Sequence, residues 1–188
     1  MSPRPSPPKT PPTKAPRASA PPTKPTATTG TRFWLLKSEP EVFSIDHLAA
    51  APKQTTFWNG VRNYQARNLL RDDIQVGDGV LFYHSNANPP AVAGLATVVR
   101  AGYPDATQFD PKSEGYDPDA KPDAPRWFVV DVRFAERFAQ PIPLDHLRTM
   151  PALAEMVLLR KGSRLSVQPV TATEWKAIVE MGRRRTSG

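Results

Sequence analysis

The sequence predicts an α+β domain in which a curved, mostly antiparallel sheet forms a small barrel with short flanking helices on its rim. Three observations predict it. Apolar, aromatic-rich runs of strand length recur between residues 33 and 168 and outnumber the stretches with helical spacing. Most of the connections between them are short and carry Pro or Gly, including one Asn-Gly pair. A chain of 188 residues, 39% of them hydrophobic, can bury one core but does not reach two ordinary domains.

The elements follow in order. Phe33, Trp34, Leu35 and Leu36 form an abrupt apolar run that stops at Lys37-Ser38-Glu39-Pro40, a first buried strand. Ser44 caps a short helix over 45–51, closed by Pro52. A second strand spans 55–58, and Asn59-Gly60 turns the chain into a segment of helical spacing over 61–71. A turn at 76–78 leads into a third strand at 79–84, which ends in a polar loop at 85–90. A fourth strand covers 92–101 and a fifth 127–134, separated by a long acidic, proline-containing loop that reads as a solvated surface segment. Residues 144–148 and 152–156 are short helices, and 165–168 is extended. Thr171 and Glu174 form a capping box that opens a last helix to about Met181.

Charge is unevenly placed. The formal net charge is +7, yet residues 1–32 hold six basic side chains and no acidic one, and Arg183, Arg184 and Arg185 add three more. Residues 33–182 therefore carry 16 basic and 18 acidic side chains, a net of −2. Electrostatic affinity for phosphate is expected to begin in the tails. The first 32 residues contain ten prolines and no Val, Ile, Leu or aromatic residue, so they cannot bury surface to offset their ordering entropy. The chain thus divides into a disordered basic tail at 1–31, a folded body at 32–182 and a basic tail at 183–188. No run reaches the ~18 apolar residues of a membrane span and no apolar leader segment is visible, so an unexported protein of the bacterial cytosol or nucleoid is expected.

Enzyme signatures are missing. The chain has no cysteine, which removes thiolate nucleophiles, disulfides and thiolate metal sites. His47, His84 and His146 have no metal-ligand spacing, and Arg160-Lys161-Gly162-Ser163 has no phosphate-loop spacing. No cofactor or metal is expected. Trp34, Phe82 and Trp175 alternate with aliphatic residues and read as core, Lys37 and Glu39 can be a surface pair, and Arg67 and Arg71 can be an exposed helix face. What remains is a concentration of aromatic and amide groups at strand ends. Trp58, Asn59, Arg62 and Asn63 surround an expected helix N-terminus, Tyr83, His84 and Ser85 end the third strand, and Lys37 and Ser38 end the first. Convergent polar groups beside aromatic walls suit a flat, hydrogen-bonding ring such as a nucleobase taken out of its stack.

Residues 33–40, 58–68, 77–85 and 164–170, in that order and with Tyr103-Pro104-Asp105 and Pro125-Arg126-Trp127 between, strongly resemble the EVE domain family; the likeness runs from about residue 32 to 181. The resemblance implies a PUA-like fold, no established catalytic activity, and a pocket for a modified base in DNA or RNA, with 5-methylcytosine and 5-hydroxymethylcytosine as candidates. Carried over residue by residue, that pocket draws on Lys37, Ser38, Trp58, Asn59, Val61, Arg62, Asn63, Tyr83, His84, Ser85, Ser166 and Gln168. The expected partner is DNA or RNA carrying a modified base, bound by a monomeric reader. Two other readings stand beside it: a base- or nucleotide-modifying enzyme using His84 or Glu39 for proton transfer, and a nonspecific nucleic-acid binder driven by the tails.

Overall fold

The computed structural model describes residues 30–184. Residues 1–29 and 185–188, with most of the expected tails, lie outside the described residues. Six strands form one mixed sheet: β1 (Phe33–Ser38), β2 (Thr55–Phe57), β3 (Gly79–His84), β4 (Ala91–Pro104), β5 (Phe128–Pro143) and β6 (Val167–Val170). Their spatial order is β2-β5-β4-β3-β1-β6. Only β1 and β3 run parallel, with Phe33 opposite Gly79 and Ser38 opposite His84; the other pairings are antiparallel.

The expected barrel does not form. β2 and β6 are separate edges of an open sheet. β2 has three residues and β6 four, one of them Pro169 without an N–H, so neither edge offers a continuous ladder for closure. The expected strands 92–101 and 127–134 are also too short. β4 and β5 pair along 14 and 16 residues, bent by four shifts of register, and such shifts raise local twist and bend the strands.

Both faces of the sheet are buried, which is why its central strands read as unbroken apolar runs. Trp34, Leu36, Val80, Phe82, Ala96, Val98, Val130 and Val132 belong to one core, joined by Leu48 and Leu70 from the helical segments. Leu35, Leu81, Tyr83, Leu95, Phe138 and Ile142 belong to the other, with Leu147, Leu153, Ile178 and Val179. The second core is covered by α3 (Leu144–Arg148) and the last helix, which is numbered α4 (Ala172–Arg184). In place of a helix over 152–156 the chain makes two single turns, Pro151–Leu153 and Val157–Leu159.

Local chemistry explains the helix starts. Ser44 caps α1 (Ile45–Ala50): its Oγ accepts from His47 N at 3.1 Å while His47 Nδ1 accepts from Ser44 N at 3.0 Å. The helix expected from 61 begins later, as α2 (Tyr64–Asn68), because the Asn63 side chain caps it by accepting from Ala66 N at 3.0 Å and Val61 is buried in the first core. Thr171 and Glu174 form the expected box on α4, with bonds of 2.7 and 3.2 Å. That helix continues through Arg184, three residues past the expected end at about Met181, and Arg183 meets Glu136 at 2.8 Å. At the other end Arg32 N donates to the buried Asp78 carboxylate (3.1 Å), which also accepts from Trp34 Nε1 at 2.8 Å.

Candidate nucleic-acid interface

A cleft of about 620 Å³ opens between the end of β1, the exit of β2 and the segment 107–115. One wall is the end of β1 and the turn after it: Lys37, Ser38, Val42 and Phe43. The second is β2 and its exit, Thr56 to Gly60, together with Arg62. The third is the segment 107–115, through Thr107, Ser113, Glu114 and Gly115. Bringing β1 and β2 to opposite sides of one cavity requires the strong curvature of the sheet, because they are second from one edge and first at the other.

Of the residues expected at the site, Lys37, Ser38, Trp58, Asn59 and Arg62 line this cleft. Ser38 donates its hydroxyl to Phe43 O at 2.7 Å, so its oxygen is left to accept. Trp58 is 6% exposed and meets Phe82 edge to face at 5.3 Å, which makes it part of the core as well as a wall. Phe57, 49% exposed, supplies a second ring. Asn59 is exposed and its amide makes no hydrogen bond among the described residues, so donor and acceptor both remain for a ligand.

The others lie elsewhere. Tyr83 is buried on the opposite face of the sheet with Leu35 and Leu81, since neighbouring residues of a strand point to opposite sides. It cannot stack on a ring held against Trp58. His84 is edge-on to Phe82 and its Nε2 accepts the backbone N–H of Ile45 at 3.1 Å. Burial holds its imidazole below the usual histidine pKa, in keeping with that accepting role. Ser85 N binds Ser38 O at 2.9 Å and Ser166 O accepts from Lys37 N at 2.9 Å, so both support the end of β1 through backbone. Gln168 is fully buried and donates to Ser163 Oγ and Leu165 O, and Asn63 is the cap of α2.

Arg62 lines the cleft but its guanidinium is engaged. Nη1 meets the buried Asp105 carboxylate at 3.0 Å and Val61 O at 3.1 Å, while Nη2 donates to Thr107 Oγ1 at 3.3 Å and Gly115 O at 2.6 Å. It therefore clamps the third wall to the second. A Cβ at position 115 would press on Thr107 Oγ1 and Arg62 Nη2, so a larger residue there would have to displace the Arg62 clamp. The loop, expected to be a solvated segment, is held on a buried Gln108. Its Nε2 donates to Asp105 O and Trp127 O at 2.7 and 2.9 Å, and its Oε1 accepts from Arg126 N and Trp127 N at 2.9 and 3.0 Å.

The half-buried Lys37 ammonium donates to Ser163 O at 3.3 Å, and burial pulls its pKa below the usual lysine value. Glu39, the other proton-transfer candidate, is exposed and accepts from Asn86 Nδ2 at 3.3 Å. Neither it nor His84 lines the cleft. Among the described residues no group of three or more His, Asp or Glu is placed to hold a metal ion, and no helix is long and apolar enough to cross a membrane.

Known proteins share this architecture. Thymocyte nuclear protein 1 of Homo sapiens is 43% identical over 171 residues, spanning 82% of this chain and 75% of that protein. The crystal structure of human THYN1 protein in complex with 5-methylcytosine-containing DNA matches with a TM-score of 0.76 and 44% identity, covering 81% of this chain and 98% of that one. A hypothetical protein from Leishmania major matches with a TM-score of 0.78 and 46% identity, covering 84% and 98%. The family model for the EVE domain matches residues 32–181, and the chain belongs to the EVE domain family.

Proposed function

We propose that this protein is a reader of modified DNA, taking a cytosine that carries a 5-methyl or 5-hydroxymethyl group out of its stack and into the cleft between β1, β2 and the segment 107–115. The observation that carries the reading is this cleft, with its rings and uncommitted polar groups, in a close relative of a protein solved with 5-methylcytosine DNA. Its volume lies within the ~300–1,000 Å³ of small-molecule sites. Stacking against the Phe57 and Trp58 wall supplies about 1–3 kcal/mol per base. Ser38 Oγ can accept from an exocyclic amine, and the Asn59 amide can pair with a ring edge in either sense. All three walls come from one chain, so the reading needs no second copy.

The enzyme reading loses its named groups, since His84 Nε2 is occupied and Glu39 stands outside the cleft. The test is fluorescence anisotropy with matched oligonucleotides carrying cytosine, 5-methylcytosine or 5-hydroxymethylcytosine, and with the corresponding RNA. Modified DNA is expected to bind most tightly, and Asn59→Ala, an exposed change, is expected to weaken it by about 1–3 kcal/mol. Equal affinity for modified and unmodified strands overturns the reading.

A further inference from the structure

Beside the cleft lies a depression of about 380 Å³ between the start of α2 and the loop 157–165. Asn63 and Gln65 form one side, and Arg160, Lys161, Ser163 and Arg164 the other. The three cations stand within five residues and are exposed. Among the described residues no carboxylate pairs with them, and the one hydrogen bond from their side chains runs from Arg160 Nη2 to the backbone oxygen of Glu155 at 3.2 Å. Elsewhere Arg62, Arg71, Arg126, Arg137, Arg148 and Arg183 each lie beside an Asp or Glu. A body with a net charge of −2 over residues 33–182 thus conceals a local positive field.

The cations sit on an anchored turn. Ser163 N donates to Arg160 O at 3.2 Å, and Gly162 has φ +76°, which favours glycine at the bend. Behind the turn, Gln168 Nε2 holds Ser163 Oγ at 3.0 Å and Lys37 Nζ holds Ser163 O at 3.3 Å. Two features join the depression to the cleft. Lys37 lines the cleft and binds Ser163 of the depression, while the segment 59–63 gives Asn59, Gly60 and Arg62 to the one and Asn63 to the other.

We propose that this depression seats the DNA backbone phosphates flanking the base held in the cleft, with Arg160, Lys161 and Arg164 as the neutralising cations. The proposal rests on the reader function above and moves part of the phosphate affinity from the tails into the folded body. Backbone contacts carry no sequence information, so the site should set affinity and leave base preference alone.

The experiment uses the full chain, its Arg160→Gln/Lys161→Gln/Arg164→Gln variant, and a Lys53→Gln/Lys121→Gln control of exposed cations elsewhere. Each is titrated with methylated and unmethylated oligonucleotides across salt concentrations. The triple variant is expected to lose affinity for both strands alike, to keep the preference ratio, and to flatten the slope of log K against log salt by about 2 to 3. Lys161→Glu, whose side chain makes no hydrogen bond among the described residues, should weaken binding in the same sense with an unchanged urea midpoint. Wild-type affinity and slope in the triple variant, or an equal loss in the control, overturns the phosphate site while the methyl preference still stands. Loss of that preference in the wild-type protein overturns the reader function instead.

Discussion

Arg62→Lys separates a clamp from a ligand contact. Lysine keeps the charge but not the planar fork, so it can reach Asp105 but cannot also bind Thr107 Oγ1 and Gly115 O. The Asp105 side chain is 1% exposed and retains only the Thr107 N–H and hydroxyl if its cation withdraws. Breaking a fully buried pair costs about 3–5 kcal/mol. Arg62, whose side chain is 29% exposed, is partly screened, and hydrogen bonds to charged groups are worth about 1.5–3 kcal/mol. The expected loss is therefore about 2 kcal/mol, or roughly 4–8 °C in melting temperature for a chain of this size.

Hydrogen exchange localises the effect. If Arg62 is a clamp, amides of the 105–127 loop lose protection in Arg62→Lys while those of β3 and β4 keep theirs, and base affinity falls because one wall has loosened. If Arg62 were a ligand contact, protection would be unchanged and only binding would suffer. Wild-type exchange throughout the loop, together with lost binding, refutes the clamp.

Three further outcomes follow from the same geometry. Gln108→Ala strands the Arg126 and Trp127 N–H groups, while Asp105 O and Trp127 O keep backbone donors, and is expected to cost about 2 kcal/mol or more in urea unfolding, with the loss confined to the loop if the sheet survives. His84 is held below its ordinary value of 6.5, so the unfolded chain binds its proton first; stability is full above that value and declines as pH falls through it, and His84→Gln should flatten the decline in urea midpoints between pH 7 and 5. Trp58→Ala should cost about 3–5 kcal/mol because the ring packs on Phe82, whereas Phe57→Ala should weaken stacking with little change in melting temperature.

The strands were legible in the sequence wherever both faces are buried, as with Phe33 to Leu36 and Val80 to Tyr83, because burial on two sides leaves an unbroken apolar run. That same property hid the face of the site. When both sides of a strand are apolar, alternation shows that Phe82 and Tyr83 point oppositely but not which of them faces a ligand. The second half of β5 escaped notice because Arg137, Gln140 and Pro141 are exposed on an otherwise paired strand. The third wall of the cleft was hidden by its composition: a proline-rich acidic loop reads as solvated unless the bonds made by Gln108 and Asp105 are known, and these connect residues up to 43 apart. Closure of the sheet was equally beyond reach, since it depends on the lengths of β2 and β6 rather than on any pattern within them.

On the proposed reading affinity and selectivity have different sources, and that separation can be tested. A 5-methyl group adds one heavy atom and no charge, so attraction between Arg160, Lys161, Arg164 or the basic tails and the phosphates is the same for a methylated and an unmethylated strand. On that reading only the cleft tells them apart. A methyl in an apolar slot contributes about 0.8 kcal/mol, roughly fourfold in affinity, and a ring edge misaligned with Ser38 or Asn59 forfeits about 1–3 kcal/mol more. Raising salt, or deleting residues 1–29, removes counterion release from both complexes equally. The ratio of methylated to unmethylated affinity is therefore expected to stay constant from low to high salt, with or without those residues, while both affinities fall together. A ratio that collapses toward one as salt rises, or when residues 1–29 are removed, would place discrimination outside the cleft.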